Sequence, residues 1–397
     1  MRTYLEFLRT PYAFRLLGGT LLGRLPNGMG ALAVVLFTRA EGGGYSLAGV
    51  LVAAHAVAMA AGQPVLGRLM DRFGQPRVLL TSAVLAAAGF TGFALVGVEP
   101  LPPAAAAVVL AGFATPPLEA GLRALWTAVL PGPAQVQTAF ALDAATQEII
   151  FTTAPLLVVA AAAVSPATAL VLTGLLGVAG TIVVVSSQPS RGWRGEPRAG
   201  DWAGPLRSPG LRVLLLALAS VGLALGVLSV AVVPYAEELG TKAASGLLLA
   251  ANAGGALAGG LLYGARPRRG PAHRRLPPLL GGLAAGYLPL MAAPGLPLML
   301  VLAFISGIFL APTLACAFTM VDELAPRGTV TEAFAWVVAA MGGGTALGSA
   351  VAGVAGDHAG VPGAFAGAGL GGVLALGLSL LGRPLLRPAT AAEASST

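Results

Sequence analysis

Apolar residues gather in blocks along the 397-residue chain, each about twenty residues long and parted from the next by a short polar break. The blocks fall at about 13–37, 45–66, 77–97, 103–125, 136–161, 166–186, 212–234, 243–264, 276–293, 297–320, 331–355 and 362–382. Crossing about 30 Å of hydrocarbon takes roughly 20 residues of helix, so the pattern predicts twelve transmembrane helices. The many Gly, Ala and Pro residues inside the blocks fit this reading. Small residues let backbones approach, and neighbouring helices re-satisfy the carbonyls that proline frees.

The longest break, residues 187–211, is polar and rich in Pro, Gly and Arg, and it divides the chain into six blocks and six. The expected fold is therefore an all-α membrane protein with twelve transmembrane helices in two pseudo-symmetric six-helix bundles. The amino-terminal bundle is expected over 1–186, a cytoplasmic linker over 187–211, and the carboxy-terminal bundle with a short cytoplasmic tail over 212–397. An internal repeat supports the division. Pro-Pro-Leu-Glu at 116–119, Leu130-Pro131 and Thr138-Ala-Phe-Ala141 recur as Ala-Pro-Thr-Leu at 311–314, Ala325-Pro326 and Glu332-Ala-Phe-Ala335. The offset is 195 residues at the prolines and 194 at Ala-Phe-Ala, which sets Asp71 near Gly264 or Ala265.

Charge adds a direction. Charged residues make up 10% of the chain and hydrophobic ones 56%, too few charges to cover a soluble protein of this size. The net charge of +7 would suggest nucleic acid in a soluble protein, but the basic residues sort by loop. Of 23 lysines and arginines, twenty fall at or near the breaks on the side of the amino end, only Arg39 and Lys242 fall on the loops opposite, and Arg24 alone lies deep in a block. This asymmetry predicts a multi-pass protein of the inner (cytoplasmic) membrane with both termini cytoplasmic, and it removes the argument for nucleic acid. The amino end has no apolar core with a small-residue cleavage site, so no removable signal peptide is expected. The lone Cys316 excludes disulfides and a cysteine metal cluster.

The most polar stretch outside the linker is Gly67-Arg-Leu-Met-Asp71-Arg-Phe-Gly74-Gln-Pro-Arg77, a charged turn between the second and third blocks. Glycines at 67 and 74 suit close approach and sharp turning. Asp71 can accept from Arg72 or Arg77 and can face a helix amino terminus, whose dipole favours an anion. Gly67, Leu69, Asp71, Arg72, Gly74 and Arg77 match the loop signature between helices 2 and 3 of the major facilitator superfamily, which the whole chain resembles. The resemblance implies alternating access, with two halves rocking about a site near the bilayer midplane. It also implies that Asp71 acts as a cytoplasmic latch against the start of helix 11, near Thr331. The tokens of proton-coupled drug exporters are partial: Gly112 follows Val108, Val109 and Leu110 with no arginine, and a helix 5 Gly-Pro pair reads Ala154-Pro155. Arg123-Ala-Leu-Trp, Ala141-Leu-Asp-Ala followed by Gln147-Glu148, and Pro155-Leu-Leu are similar to a group of actinobacterial facilitators.

Ionisable groups at membrane depth are costly and mark candidate sites. Arg24 lies about eleven residues into the first block and Glu148 about twelve into the fifth, so both fall near the midplane, at roughly 16 to 18 Å. They are expected to pair, either as a proton-coupling site or as a permanent packing bridge. Asn27, His55 and Asn252 are assigned with them to the central cavity, His55 either titrating or donating to a neighbour. Glu119, Arg123 and Asp143 lie nearer the cytoplasmic side and read as a gate, together with Gly67, Asp71, Arg72, Gly74 and Arg77. Glu332 is expected to cap or neutralise a helix end near Arg327.

The function expected is proton-coupled efflux of a small amphipathic or apolar molecule, because the carboxy-terminal half offers mainly neutral polar groups. Proton-coupled uptake of a small solute is the alternative. The expected partners are the lipid bilayer, protons and the small-molecule substrate, with the chain acting as a monomer. No cofactor, metal or enzymatic activity is expected, since the three histidines are scattered and no Ser-His-Asp, HExxH or Walker-type loop occurs.

Overall fold

The structure is a computed structural model that describes residues 10–195, 203–241, 243–265 and 270–387. Arg2, Arg9, Arg198, Lys242, Arg266, Arg268 and Arg269, all used above to orient the chain, lie outside the described residues. The helices are α1 (Ala13–Ala40), α2 (Tyr45–Phe73), α3 (Gln75–Val96), α4 (Leu101–Phe113), α5 (Leu118–Val129), α6 (Pro133–Ala162) and α7 (Pro166–Val185) in the first half. After the short α8 (Gln188–Gly192) come α9 (Pro209–Glu238), α10 (Ala243–Gly264), α11 (Ala272–Tyr287), α12 (Leu296–Ile308), α13 (Leu310–Leu324) and α14 (Val330–Leu381).

These helices make twelve rods, and the protein is a multi-pass membrane protein. Ten rods are long and apolar enough to cross a membrane, counting α4 with α5 and α12 with α13 as single rods and α14 as two. The remaining two are α6, of 30 residues, and α11, of 16 residues, which a 3-10 turn over Leu288–Ala292 extends. The expected single runs at 103–125 and 297–320 are each broken. Pro116 and Pro117 interrupt the fourth rod, because proline removes an amide and clashes with the preceding turn. The tenth rod breaks at Phe309, at the matching place in the repeat. α1, by contrast, runs through Pro26 without a break. Rods eleven and twelve join at Gly360, whose φ of 64° is open to glycine at little cost. The described residues of the 187–211 break hold α8 and a 3-10 turn over Gly204–Arg207.

Within each half, small residues set the spacing. On α9, Gly222 and Gly226 meet the α14 backbone at Met341 and Thr345, and on α14, Gly344 and Gly348 meet the α9 backbone at Ala219 and Leu223, a Gly-x-x-x-Gly pair on each helix. A Cβ at Gly226 would lie 2.0 Å from the Thr345 carbonyl oxygen, and one at Gly344 would lie 1.9 Å from that of Ala219. Without a hydrophobic drive between helices in lipid, such backbone contact supplies the packing energy. The two halves meet along α2 with α14, α6 with α10, and α6 with α13, while α5 also touches α14. Gly67 permits the first contact: a Cβ there would lie 2.9 Å from the Ala335 Cβ and 3.0 Å from the Glu332 Cα. The named side-chain contacts across this seam gather at one end of the bundle, which also carries Arg15, Arg68, Arg77, Arg212, Arg274 and Arg383 and is called the basic end below.

Gly226→Ala should lower the thermal unfolding midpoint in detergent, at a cost of about 1–3 kcal/mol, because α14 must retreat. Gly342→Ala on the same helix meets nothing within 4 Å and should leave the midpoint unchanged or raise it. Equal behaviour of the two variants would contradict the packing account.

Candidate functional site

The α2–α3 turn delivers Asp71 to the second half. Gly74, at φ 84°, ends α2 and starts α3 in one residue, and its amide donates to the Met70 carbonyl at 2.9 Å. This leaves Asp71 in the last turn of α2, buried against the first turn of α14. Its Oδ1 accepts from the Thr331 amide at 3.2 Å and its Oδ2 from the Glu332 amide at 2.9 Å. Those amides are among the first of α14 and have no partner within the helix, so a carboxylate there satisfies two donors and meets the positive end of the dipole. Asp71 does not bond to Arg72 or Arg77 as expected: both arginines are exposed, and the Arg72 guanidinium lies 5.0 Å from the Phe73 ring centroid.

Glu332 also departs from expectation. Instead of capping near Arg327, its carboxylate accepts from Arg68 Nη2 at 2.7 Å and Nε at 3.2 Å, a forked pair between α14 and α2. Sequence reading missed this pair because residues 264 apart carry no periodicity that links them. Around these bonds, Phe140 of α6 packs on Phe318 of α13 and Phe334 of α14, each at 5.9 Å between centroids. Phe140 and Phe334 are the central residues of the repeated Ala-Phe-Ala, so the repeat marks a contact as well as an ancestry. The start of the linker closes over the turn: Ser190 Oγ donates to Gln75 Oε1 at 3.1 Å, and Gly195 abuts the Asp71 carbonyl. A polar cavity of about 430 Å³ lies beside this contact, lined by Asp71, Trp193, Arg194, Asp322 and Arg327.

The second cluster lies inside the first half. Arg24 on α1, Glu119 and Arg123 on α5, and Asp143 on α6 form one network of four buried charges. Arg24 Nη1 donates to Asp143 Oδ1 at 2.8 Å, and Arg24 Nη2 reaches Glu119 Oε1 and Gln147 Oε1. Arg123 Nε donates to Asp143 Oδ2 at 2.7 Å, and Arg123 Nη2 lies 3.3 Å from Glu119 Oε2. The Arg123 guanidinium also sits 3.7 Å from the centroid of the Phe318 ring, so one member of the network touches the second half. Two positive and two negative groups balance, and each carboxylate is shared by both arginines. Such sharing is what offsets the cost of desolvating four ions.

This arrangement revises the depth argument. Arg24 was expected near the midplane and Glu119, Arg123 and Asp143 nearer the surface, yet all four meet. The break before α5 tucks its first turns into the bundle, where Leu118–Trp126 are buried throughout. The Glu148 side chain, the expected partner of Arg24, lies outside the described residues; Gln147, one position earlier, contacts Arg24. Asn27 is half-buried one turn along α1 from Arg24. His55 departs from the central-cavity assignment. Its Nδ1 lies 3.4 Å from the Val108 carbonyl and its ring packs on Phe90, so it sits inside the first half among α2, α3 and α4. Gly112, whose backbone abuts that of His55, brings α4 close enough to enclose it. Asn252 lines a cavity of about 460 Å³ among α9, α10, α13 and α14, with Ser229 and Thr345, and donates to Ser306 Oγ at 2.9 Å. Among the described residues, no group of histidine, cysteine and acidic side chains has the geometry to hold a metal ion.

A family model described as Major Facilitator Superfamily matches residues 16–296 and, again, 214–396. The chain belongs to the major facilitator superfamily. No curated protein matches it in sequence. Solved facilitators share the fold of this one at low identity. A bacterial homologue of the iron transporter ferroportin, in an outward-facing state, aligns at a TM-score of 0.70 and 16% identity, over 94% of this chain and 97% of that one. The transporter FucP, in the outward conformation, aligns at 0.72 and 14%, over 94% and 99%. The human organic anion transporter MFSD10 (TETRAN) aligns at 0.61 and 16%, over 94% and 99%. In this facilitator the superfamily's loop signature divides by role: Gly67, Asp71 and Gly74 build the contact between halves, and Arg72 and Arg77 face outward.

Asp143→Asn leaves two guanidiniums facing one carboxylate and should destabilise the facilitator by about 3–5 kcal/mol, read from thermal unfolding in detergent. The double variant Arg24→Leu, Asp143→Leu leaves Arg123 and Glu119 as a balanced pair and should recover much of that loss. A single variant as stable as the parent would contradict the shared network.

Proposed function

We propose that this facilitator is a proton-coupled exporter of a small amphipathic or apolar molecule, of the drug/proton-antiporter kind, working by alternating access in the cytoplasmic membrane. In this reading the basic end faces the cytoplasm, the amino-terminal bundle and the carboxy-terminal bundle rock about the seam, and the chain acts as a monomer. Its latch, Asp71 on the start of α14 with Arg68 on Glu332, holds that end closed while the other end admits or releases substrate. The observation that carries the coupling is the Arg24, Glu119, Arg123, Asp143 network, in which a buried charge balance touches the seam through Arg123 and Phe318.

The chemistry follows from that balance. Each carboxylate holds both arginines, so a proton on one of them leaves a guanidinium short of an acceptor. Glu119 is the better placed to take the proton, because it keeps 7% of its surface accessible where Asp143 keeps none. Protonation there weakens the hold on Arg123 and so alters how the first half packs on Phe318. The neutral lining of the cavity at Asn252, Ser229 and Thr345 suits a substrate without strong charge.

Glu119→Gln should cut dye-stimulated proton flux at least tenfold in proteoliposomes carrying an internal pH dye and challenged with amphipathic fluorescent dyes, while dye binding persists. Inverted vesicles separate the directions: accumulation of dye inside them on acidification of the lumen indicates export, and accumulation in right-side-out vesicles indicates uptake. Full coupling in Glu119→Gln, with loss in Glu148→Gln, would move the carrier to Glu148.

A further inference from the structure

On the outer wall of the first half, α2, α3 and α4 enclose an apolar slot of about 550 Å³. Its origin is the break in the fourth rod. Above the break, α4 touches α2 where a Cβ at Gly62 would lie 2.0 Å from the Phe113 carbonyl oxygen, and it touches α3 where one at Gly89 would lie 2.5 Å from the Ala111 amide. At Ala114 the chain turns inward towards α5. Below that point the gap between α2 and α3 stays unfilled down to their junction at Gly74. Phe73, Leu85, Leu110 and Phe113 line the slot and are exposed on a wall that faces hydrocarbon in a membrane-spanning bundle.

The rim of the slot at the basic end carries cations that the latch does not use. Asp71 is taken by two backbone amides and Glu332 by Arg68, and no carboxylate pairs with Arg72 or Arg77 among the described residues. Arg77 itself lines the slot, and Arg72 lies over Phe73 on the same rim. An apolar cleft open sideways to lipid, with two guanidiniums at headgroup level that meet no carboxylate among the described residues, is complementary to one kind of molecule. We propose that this slot is a phospholipid site, taking one acyl chain of an anionic lipid between α2, α3 and α4 and its phosphate at Arg77 and Arg72. A zwitterionic lipid fills the same cleft without net charge to meet the arginines, and a polar solute finds little on the otherwise apolar walls besides the Thr81 and Ser82 hydroxyls, the latter already donating to the Leu79 carbonyl.

The test is a titration of the full-length facilitator in detergent with phosphatidylglycerol or with phosphatidylcholine of the same chains, bound lipid being counted by native mass spectrometry. Phosphatidylglycerol should bind more tightly, and Arg77→Gln should weaken it about fivefold, the effect of one surface arginine on an anionic lipid. Arg77→Lys should keep most of the binding. Leu110→Trp fills the slot without changing charge and should also weaken binding, with lipid-free thermal midpoints near the parent's showing that the variants fold. Equal binding of the two lipids, or phosphatidylglycerol binding unmoved by both Arg77→Gln and Leu110→Trp, would overturn the site.

Discussion

A carboxylate seated on the first amides of a helix from the other half is the interaction on which this structure turns. Asp71 is buried, so its charge is tolerable only where donors meet it, and the start of α14 supplies two amides and a favourable dipole. Everything near it serves to bring those atoms together. Gly67 removes the side chain that would hold α2 off α14, Gly74 turns the chain tightly enough to leave Asp71 at the helix end, and Arg68 neutralises Glu332, whose charge would otherwise stand beside that of Asp71.

The internal repeat makes the asymmetry of the seam physical. The residue matching Glu332 in the first half is Thr138, and the position matching Asp71 in the second falls near Gly264 and Ala265. Thr138 Oγ1 donates to the Gly264 carbonyl at 3.1 Å, so neighbouring places of the repeat meet on both sides of the pseudo-twofold axis. On one side the bond is a charged carboxylate on two amides with a flanking ion pair; on the other it is one neutral hydroxyl on a carbonyl. Charge-assisted bonds exceed neutral ones about twofold, so the α2 and α14 contact is the stronger tie between the halves and the α6 and α10 contact the weaker. The buried network lies close to both. Arg123 reaches from it to Phe318, which packs with Phe140 and Phe334 between the two contacts.

Hydrophobic periodicity made the twelve rods legible, because a bilayer admits few other ways to satisfy backbone amides. The loop signature located Asp71 and its target near Thr331, and the Pro-Pro, Leu-Pro and Ala-Phe-Ala repeat located the two halves. The breaks in rods four and ten escaped notice because their flanks remain apolar. Helical rise also misjudged the charge network: depth counted along a straight helix cannot see that the break before α5 shifts Glu119 and Arg123 inward to Arg24. The Arg68 and Glu332 pair was illegible for a simpler reason, since each has a local explanation, a topology arginine and a helix-end acid, that leaves nothing to connect them.

Conformer populations test the central claim most directly. Spin labels at Arg191→Cys and Arg383→Cys in a Cys316→Ala background report the separation of the two halves at the basic end by pulsed electron spin resonance. Losing the charge of Asp71 removes charge-assisted bonds worth about 1.5–3 kcal/mol, so Asp71→Asn should raise the long-distance population relative to the short one by roughly tenfold or more. A distance distribution identical in Asp71→Asn and its parent would contradict the account.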